Sequence, residues 1–481
     1  MPELAAPRRG RRAWSTGLAV ALLFVLSLPA VTTRVYSSDE VEYFAYLRSL
    51  WFDHDVSFEN EYQHFYDAGI AQARGFHETF LERTTEAGRR INFATLGCAI
   101  LWAPFYALGD LVARALQAAG RPVAADGYSW PYIAAVAYGS AAYGALSLVL
   151  ATRSARLLGG EHSALDRMSG PAAAAVWLGT PLVFYMYIAP PMSHATSACA
   201  VAALLYAWLI VRERWSVGGF VVLGILAALV AMVREQDAFF AAAPALDLSV
   251  HFVRTTDWRE RMRLLQGVVA GTAAALVAYL PQAFAYMALN GHLGPSHLVA
   301  RKMSWTAPHA LDVLASPTHG FLMWTPLALL ALIGLAWLPG TAPRTRAIGI
   351  VTVSLALAVA CQIYVAGSVE SWTVAGAFGQ RRFVALSPIL VIGLASCLSG
   401  VGLQARRVVG ALVVLLVWWN LGLVVQFGAG LMNRQRLEPA QIAYNSFVVL
   451  PVRLPELAWR YVFDRTSFYE RSERRDDREG R

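Results

Sequence analysis

Long apolar runs separated by short arginine-bearing turns make up most of this chain. They fall at 14–33, 130–152, 170–190, 193–211, 217–235, 238–250, 264–289, 319–338, 347–366, 384–400 and 408–428. Most have the roughly 17–25 residues that a helix needs to cross a bilayer. The pattern predicts an all-α polytopic membrane protein with about 11 transmembrane helices, since a helix satisfies its own backbone in lipid. Arg8, Arg9, Arg11 and Arg12 precede the first run and place residues 1–13 in the cytoplasm. The first run lacks a small-residue cleavage site, so it is expected to stay as an anchor.

Later arginines set the alternation. Arg153, Arg156 and Arg167 mark one cytoplasmic turn, Arg212 with Arg214 the next, and Arg254, Arg259, Arg261 and Arg263 a third. Arg344 with Arg346 and Arg406 with Arg407 complete the series. These agree with a cytoplasmic N-terminus on one condition. The apolar stretch Asn92 to Leu116 must lie along the outer face, or re-enter from it, rather than cross. Gly97, Pro104 and Gly109 interrupt it, and Asp110 and Arg114 punctuate it. A transmembrane domain then covers 14–428 and includes an extracytoplasmic first loop, 35–129, with interfacial helices. Residues 429–481 become a short basic extracytoplasmic tail. The run at 238–250 is short and carries Asp247, and the pair within 170–211 turns tightly at Pro190-Pro191.

Composition supports this picture. The 481 residues are 57% hydrophobic and 15% charged, against about 25% charged in soluble domains. A net charge of +8 would suit nucleic acid, but the arginines sit in short turns where membrane orientation accounts for them, so no nucleic-acid partner is expected. Cys98, Cys199, Cys361 and Cys397 lie in apolar stretches without metal-ligand spacing and read as small buried hydrophobes.

On this topology the unusual polar residues gather on the extracytoplasmic side: Asp39, Glu40, His194, Arg234 to Asp237, Lys302, Glu370, Arg381 and Arg382. Transporters place such groups inside their spans, so a rim on one face favours surface chemistry. Asp39-Glu40 follows the first run. Asp39 to Leu50 can form an amphipathic helix capped by Ser37 or Ser38, with Tyr43, Phe44, Leu47, Leu50 and Trp51 on its apolar side and Glu42 and Arg48 on its polar side. The acidic pair could equally do no more than favour the helix N-terminus. Asp53-His54-Asp55 with Glu61 has the oxygen donors of a hard cation, Mg2+ or Mn2+, and a solvated acidic turn accounts for the same residues. His194, in Pro190-Pro-Met-Ser-His194, can meet a phosphate or a sugar hydroxyl, or cap a helix. Two arginines in Gly376-Ala-Phe-Gly-Gln-Arg-Arg382 run against the positive-inside count, and their forks match phosphate oxygens or anionic lipid headgroups. Lys302, the single lysine, is a similar case. Trp305, Trp324 and Trp372 would suit stacking on a sugar.

Taken in order, Ser38-Asp39-Glu40, the outer-face segment with Ala103-Pro104-Phe105, Pro191-Met-Ser-His194, His319-Gly-Phe-Leu-Met-Trp-Thr-Pro326 and Phe378-Gly-Gln-Arg-Arg-Phe383 resemble the GT-C superfamily of membrane glycosyltransferases. The likeness is to the branch of protein O-mannosyltransferases and the lipid A aminoarabinose transferase. It implies a polyprenyl-phosphate-linked sugar as donor and a glycan, glycolipid or protein acceptor. It also implies inverting transfer at the extracytoplasmic face of the cell membrane. Carried over, Asp39 would be the general base with Glu40 beside it, and Arg381, Arg382, Arg234 and Lys302 would meet the leaving phosphate, with His194 and Glu370 as further substrate contacts. Departures are the lack of room for a soluble β domain in a late loop and of a paired Pro-Pro in Asn92 to Gly97. A transporter or flippase for lipid-linked saccharides needs a similar site and remains the alternative.

Overall fold

The computed structural model describes residues 21–70, 75–342 and 347–468. Arg8 to Arg12, residues 14–20 of the first run, Arg344, Arg346 and residues 469–481 lie outside the described residues. What is described is all-helical, with only two isolated β-bridges, Thr84 to Arg90 and Met303 to Val369.

Helix α1 (Ala21–Ala30) ends in a tight turn at Pro29. The first loop carries α2 (Ser38–Arg48), α3 (Glu59–Asp67) and α4 (Gly97–Ala118). The bundle continues with α5 (Trp130–Gly159), α6 (Ala164–Gly179), α7 (Leu182–Tyr187), α8 (Ser193–Val211), α9 (Val217–Val233), α10 (Ala242–Arg254) and α11 (Trp258–Asn290). Short helices α12 (His297–Arg301), α13 (Ala310–Ala315) and α14 (Phe321–Trp324) lead to α15 (Leu327–Ala336), α16 (Leu338–Thr341) and α17 (Ile348–Ser368). Then come α18 (Ser387–Gly400), α19 (Leu403–Ala429), α20 (Pro439–Tyr444) and α21 (Leu450–Phe463). Among the described residues, seven segments are long and apolar enough to cross a membrane: α4, α5, α8, α11, α17, Arg381–Gly400 and α19. Shorter apolar helices are α1, α9 and α15.

Several expected spans change shape for identifiable reasons. The run at 170–190 divides because Thr180, forced out of the helical region by Pro181, is extended (φ −134, ψ 168). Thr325 before Pro326 divides 319–338 in the same way (φ −129, ψ 66). The short run at 238–250 lengthens to 235–254 through a leading 3-10 turn. Asp247 within it is buried and accepts from Arg212 Nε at 2.8 Å and Trp208 Nε1 at 3.0 Å, so its charge is paired. The expected tail folds too. Tyr461 and Arg465 beyond α20 reach back to the carbonyls of Ala30 and Val31 at 2.7 and 3.0 Å.

Helix α4 is continuous through Pro104. Its supposed interruptions are packing points: a Cβ on Gly97 would lie 2.4 Å from the Met232 backbone, and one on Gly109 would lie 2.8 Å from the Pro131 carbonyl. Trp102 Nε1 donates to Thr196 at 3.2 Å. Pro131, Thr196 and Met232 lie in end turns of α5, α8 and α9, while Leu101 and Phe105 meet Tyr143 and Gly139 further along α5. Helix α4 thus packs along α5 and against the end turns of α8 and α9, and it is itself long and apolar enough to cross a membrane. Elsewhere glycine pairs let helix backbones touch. A Cβ on Gly334 would lie 2.0 Å from the Gly393 carbonyl, and one on Gly224 at 2.0 Å from that of Gly271.

Candidate active site

The chain encloses a cavity of about 630 Å³ lined by Asp39, Glu42 and Tyr43 of α2, Arg234 and Glu235 after α9, Lys302, Trp305, Arg381 and Arg382, among others. Four cationic side chains face three carboxyls there, leaving a positive excess suited to an anion.

Helix α2 presents the acidic residues through local chemistry. Ser37 caps it, accepting from Glu40 N, while Glu40 Oε2 accepts from Tyr36 N at 2.7 Å and Ser37 N at 3.0 Å. That capping box uses Glu40 and buries it, and burial pushes its carboxyl up to about 7 against those hydrogen bonds. Glu40 thus faces away from the cavity that Asp39 lines. The helix is less amphipathic than its sequence implies, because Glu42 is buried with the apolar residues. Glu42 Oε2 accepts from Phe93 N at 2.6 Å, and its carbonyl accepts from Asn92 Nδ2 at 3.0 Å. Burial, and then the nearby charge of Asp39, hold the Glu42 carboxyl well above its ordinary range. The loop it anchors is fixed at its far side by Thr95 Oγ1 donating to the Val233 carbonyl at 3.0 Å.

Asp39 Oδ2 accepts from Arg381 Nη1 at 2.5 Å, joining residues far apart in sequence. Arg382 donates to the Ser371 carbonyl at 2.9 Å. The turn before these arginines is tight: Gly379 has φ +60, and a Cβ there would lie 2.7 Å from Pro181. Gln380 Nε2 ties it to the carbonyls of Trp372 (2.9 Å) and His319 (3.1 Å). The two late motifs of the sequence are thereby knitted together. Trp324 stacks on His319 at 4.7 Å within this core and, like Trp372, does not line the cavity; Trp305 does.

Arg234 enters the cavity from the end of α9. Its Nη1 lies 2.6 Å from His194 Nδ1. A guanidinium only donates, so Nδ1 accepts and the ring proton is on Nε2. His194 is buried outside the cavity lining and supports Arg234 from below, as does Asp237, whose carboxylate lies 3.9 Å from Arg234 Nε and accepts from the Ser197 hydroxyl. Lys302 lies over the Phe93 ring at 4.8 Å. Glu370 is exposed and outside the lining; its backbone N–H donates to the Lys302 carbonyl at 2.8 Å.

Asp53, Asp55 and Glu61 do not converge as a ligand set. Arg48 ion-pairs with both Asp53 and Glu61, the latter at 3.0 Å, while Asp55 Oδ1 accepts from the Ser49 hydroxyl at 2.8 Å and Ser57 N at 3.0 Å. A guanidinium thus occupies the place expected for Mg2+ or Mn2+. Among the described residues, the cluster of side chains able to hold a metal is Glu86, His292 and His297, whose ligand atoms lie within 4.8 Å of one another. Two imidazoles and one carboxylate suit a borderline ion such as Zn2+ better than a hard one.

A second cavity, of about 470 Å³, lies between α1, α6, α7, α19 and α21. Leu23, Trp177, Phe184, Val424 and Leu457 give it a hydrocarbon-like lining, and Tyr36, three residues before Asp39, forms part of its wall.

Sequence reading singled out Asp39, Arg234, Lys302, Arg381 and Arg382, and the fold brings these five to one cavity. It missed Glu42 as a lining residue. The signal was available in the spacing: positions 39, 42 and 43 share one face of a helix.

A crystal structure of ArnT from Cupriavidus metallidurans bound to undecaprenyl phosphate has a similar fold, with a TM-score of 0.53 and 14% sequence identity over 95% of this chain and 79% of that one. The resemblance drawn from the ordered motifs is borne out at the level of the fold. No family model matches the sequence, and no curated protein matches it.

Proposed function

We propose that this chain is an integral-membrane glycosyltransferase that moves a sugar from a polyprenyl-phosphate donor to an acceptor hydroxyl or amine on a glycan, glycolipid or protein. The reaction takes place at the extracytoplasmic face, with the N-terminus in the cytoplasm. The observation that carries the reading is the single cavity where Asp39 meets Arg381, with Arg234, Arg382 and Lys302 on its walls. Asp39 takes the proton of the acceptor as the acceptor atom bonds to the anomeric carbon. The bond from that carbon to the phosphate oxygen breaks, and its electron pair leaves with the lipid phosphate. One displacement inverts the anomeric centre. Guanidinium groups aimed at the leaving phosphate supply the charge stabilisation that the step needs. In the free chain Arg381 is held by Asp39; an arriving phosphate competes for that guanidinium and releases the carboxylate as base. The apolar cavity beside Tyr36 offers space for lipid hydrocarbon. Undecaprenyl phosphate, bound in the crystal structure of the similarly folded ArnT, is the kind of lipid phosphate that the proposed donor would leave behind.

The test is sugar transfer in membranes carrying wild-type chain or Asp39→Asn, given labelled polyprenyl-phosphate sugars and native acceptors. Label leaving the donor with wild type, and falling by about 10²–10⁴-fold in the variant, supports the proposal. Equal transfer by both removes Asp39 as base. No transfer by either, with labelled lipid still crossing the membrane, establishes the flippase reading instead.

A further inference from the structure

The three carboxyl side chains at the start of α2 have three different surroundings. Asp39 is paired with Arg381, Glu40 closes the capping box, and Glu42 lines the cavity while anchoring the loop at Phe93. Asp39 and Glu42 lie one helical turn apart on the same face, with Cβ atoms about 5–6 Å from each other. That separation is close to the width of one sugar ring.

Loop anchoring accounts for only part of this. A glutamine carbonyl would accept the same N–H, and burying an ionisable group costs more than burying an amide. The position also has a cation, Lys302, and an aromatic ring, Trp305, on the wall that 295–305 contributes. A carboxyl group, an ammonium and an indole around one space are the donor, acceptor and stacking surfaces that bind carbohydrate. The guanidinium groups of Arg234, Arg381 and Arg382 belong to the phosphate, so α2 beyond Asp39 is left to the sugar.

We infer that Glu42 hydrogen-bonds a hydroxyl of the transferred sugar, one turn from the base, and thereby sets which sugar the cavity accepts. The inference rests on the proposed function. With Glu42 Oε2 held by Phe93 N, the other oxygen accepts from that hydroxyl, which the amide nitrogen of a glutamine cannot do.

The experiment uses the full chain in lipid nanodiscs, titrated with bare undecaprenyl phosphate and with a panel of undecaprenyl-phosphate-linked hexoses and pentoses. Wild type is expected to bind one linked sugar more tightly than the bare lipid phosphate. Glu42→Gln, which keeps an acceptor for Phe93 N, is expected to lose that advantage by about 10- to 100-fold, to bind the bare lipid phosphate as wild type does, and to discriminate less among sugars. Unchanged binding of both ligands would leave Glu42 as a loop anchor and overturn the inference. Equal weakening of both would do so too, because the effect would then act through the loop rather than the sugar. Wild type that binds bare and sugar-linked lipid alike also contradicts it. Failure of wild type to bind any lipid phosphate would overturn the proposed function itself.

Discussion

Adjacent residues Asp39 and Glu40 do separate jobs because a helix N-terminus sorts them. Ser37 and Glu40 satisfy each other's backbone N–H groups, and Asp39 is turned toward Arg381. Removing Arg381 as Arg381→Ala should cut transfer by about 10²-fold and raise the donor concentration needed for half-maximal rate; unchanged dependence on donor would remove it from the phosphate site. Glu40 should instead show itself in stability. Its carboxyl is raised by burial from 4.5 to about 7. Between those values the folded chain keeps a proton that the unfolded chain has lost, so this contribution is complete below about 4.5 and lost as pH rises through about 7. The melting temperature of the detergent-solubilised chain should fall from pH 5 to pH 8, and Glu40→Gln should flatten that fall; the same slope in both would refute the assignment. A further expectation concerns metal. With Arg48 between Asp53 and Glu61 and guanidinium groups lining the cavity, EDTA should leave transfer unchanged within about 2-fold. Loss restored by Mg2+ or Mn2+ would restore the acidic turn as a metal site.

At the scale of elements, hydrophobic runs located the helices well, because length and apolarity are what a membrane selects. Breaks were less legible. Thr180-Pro181 and Thr325-Pro326 are visible as dipeptides, yet proline is tolerated inside Gly97–Ala118, so its effect depends on what neighbours can satisfy. The glycines of α15 and α18 are a clearer case after the fact: nothing in the sequence says that Gly334 faces the Gly393 carbonyl. Gly334→Val should force the two helices apart and destabilise the chain by about 1–3 kcal/mol, read as a lower melting temperature; Gly340→Val, where a Cβ meets nothing within 4 Å, is the matched control. Equal effects of the two would contradict the packing account.

Across the whole molecule, the sequence holds the alternation of arginines and the order of short motifs, and it keeps no single motif that specifies the fold. A structural neighbour at 14% identity illustrates why: a similar fold persists where residue identity does not. The site was legible as a set of polar residues on one face, whereas which of them meet depended on long-range packing, as with Asp39 and Arg381. The placement of α4 has a direct test. Cysteine introduced at Arg121, in the exposed link to α5, should react with a membrane-impermeant maleimide from the side that labels His54→Cys. Labelling of Arg121→Cys and His54→Cys from opposite sides would mean that α4 crosses.

The most direct measurement is a structure of the full chain in lipid nanodiscs with undecaprenyl phosphate bound. Phosphate density is expected in the cavity among Arg234, Arg381 and Arg382, with the Arg381 guanidinium turned from Asp39 to the phosphate. A phosphate bound elsewhere, with the Asp39–Arg381 pair intact, would contradict the proposed function.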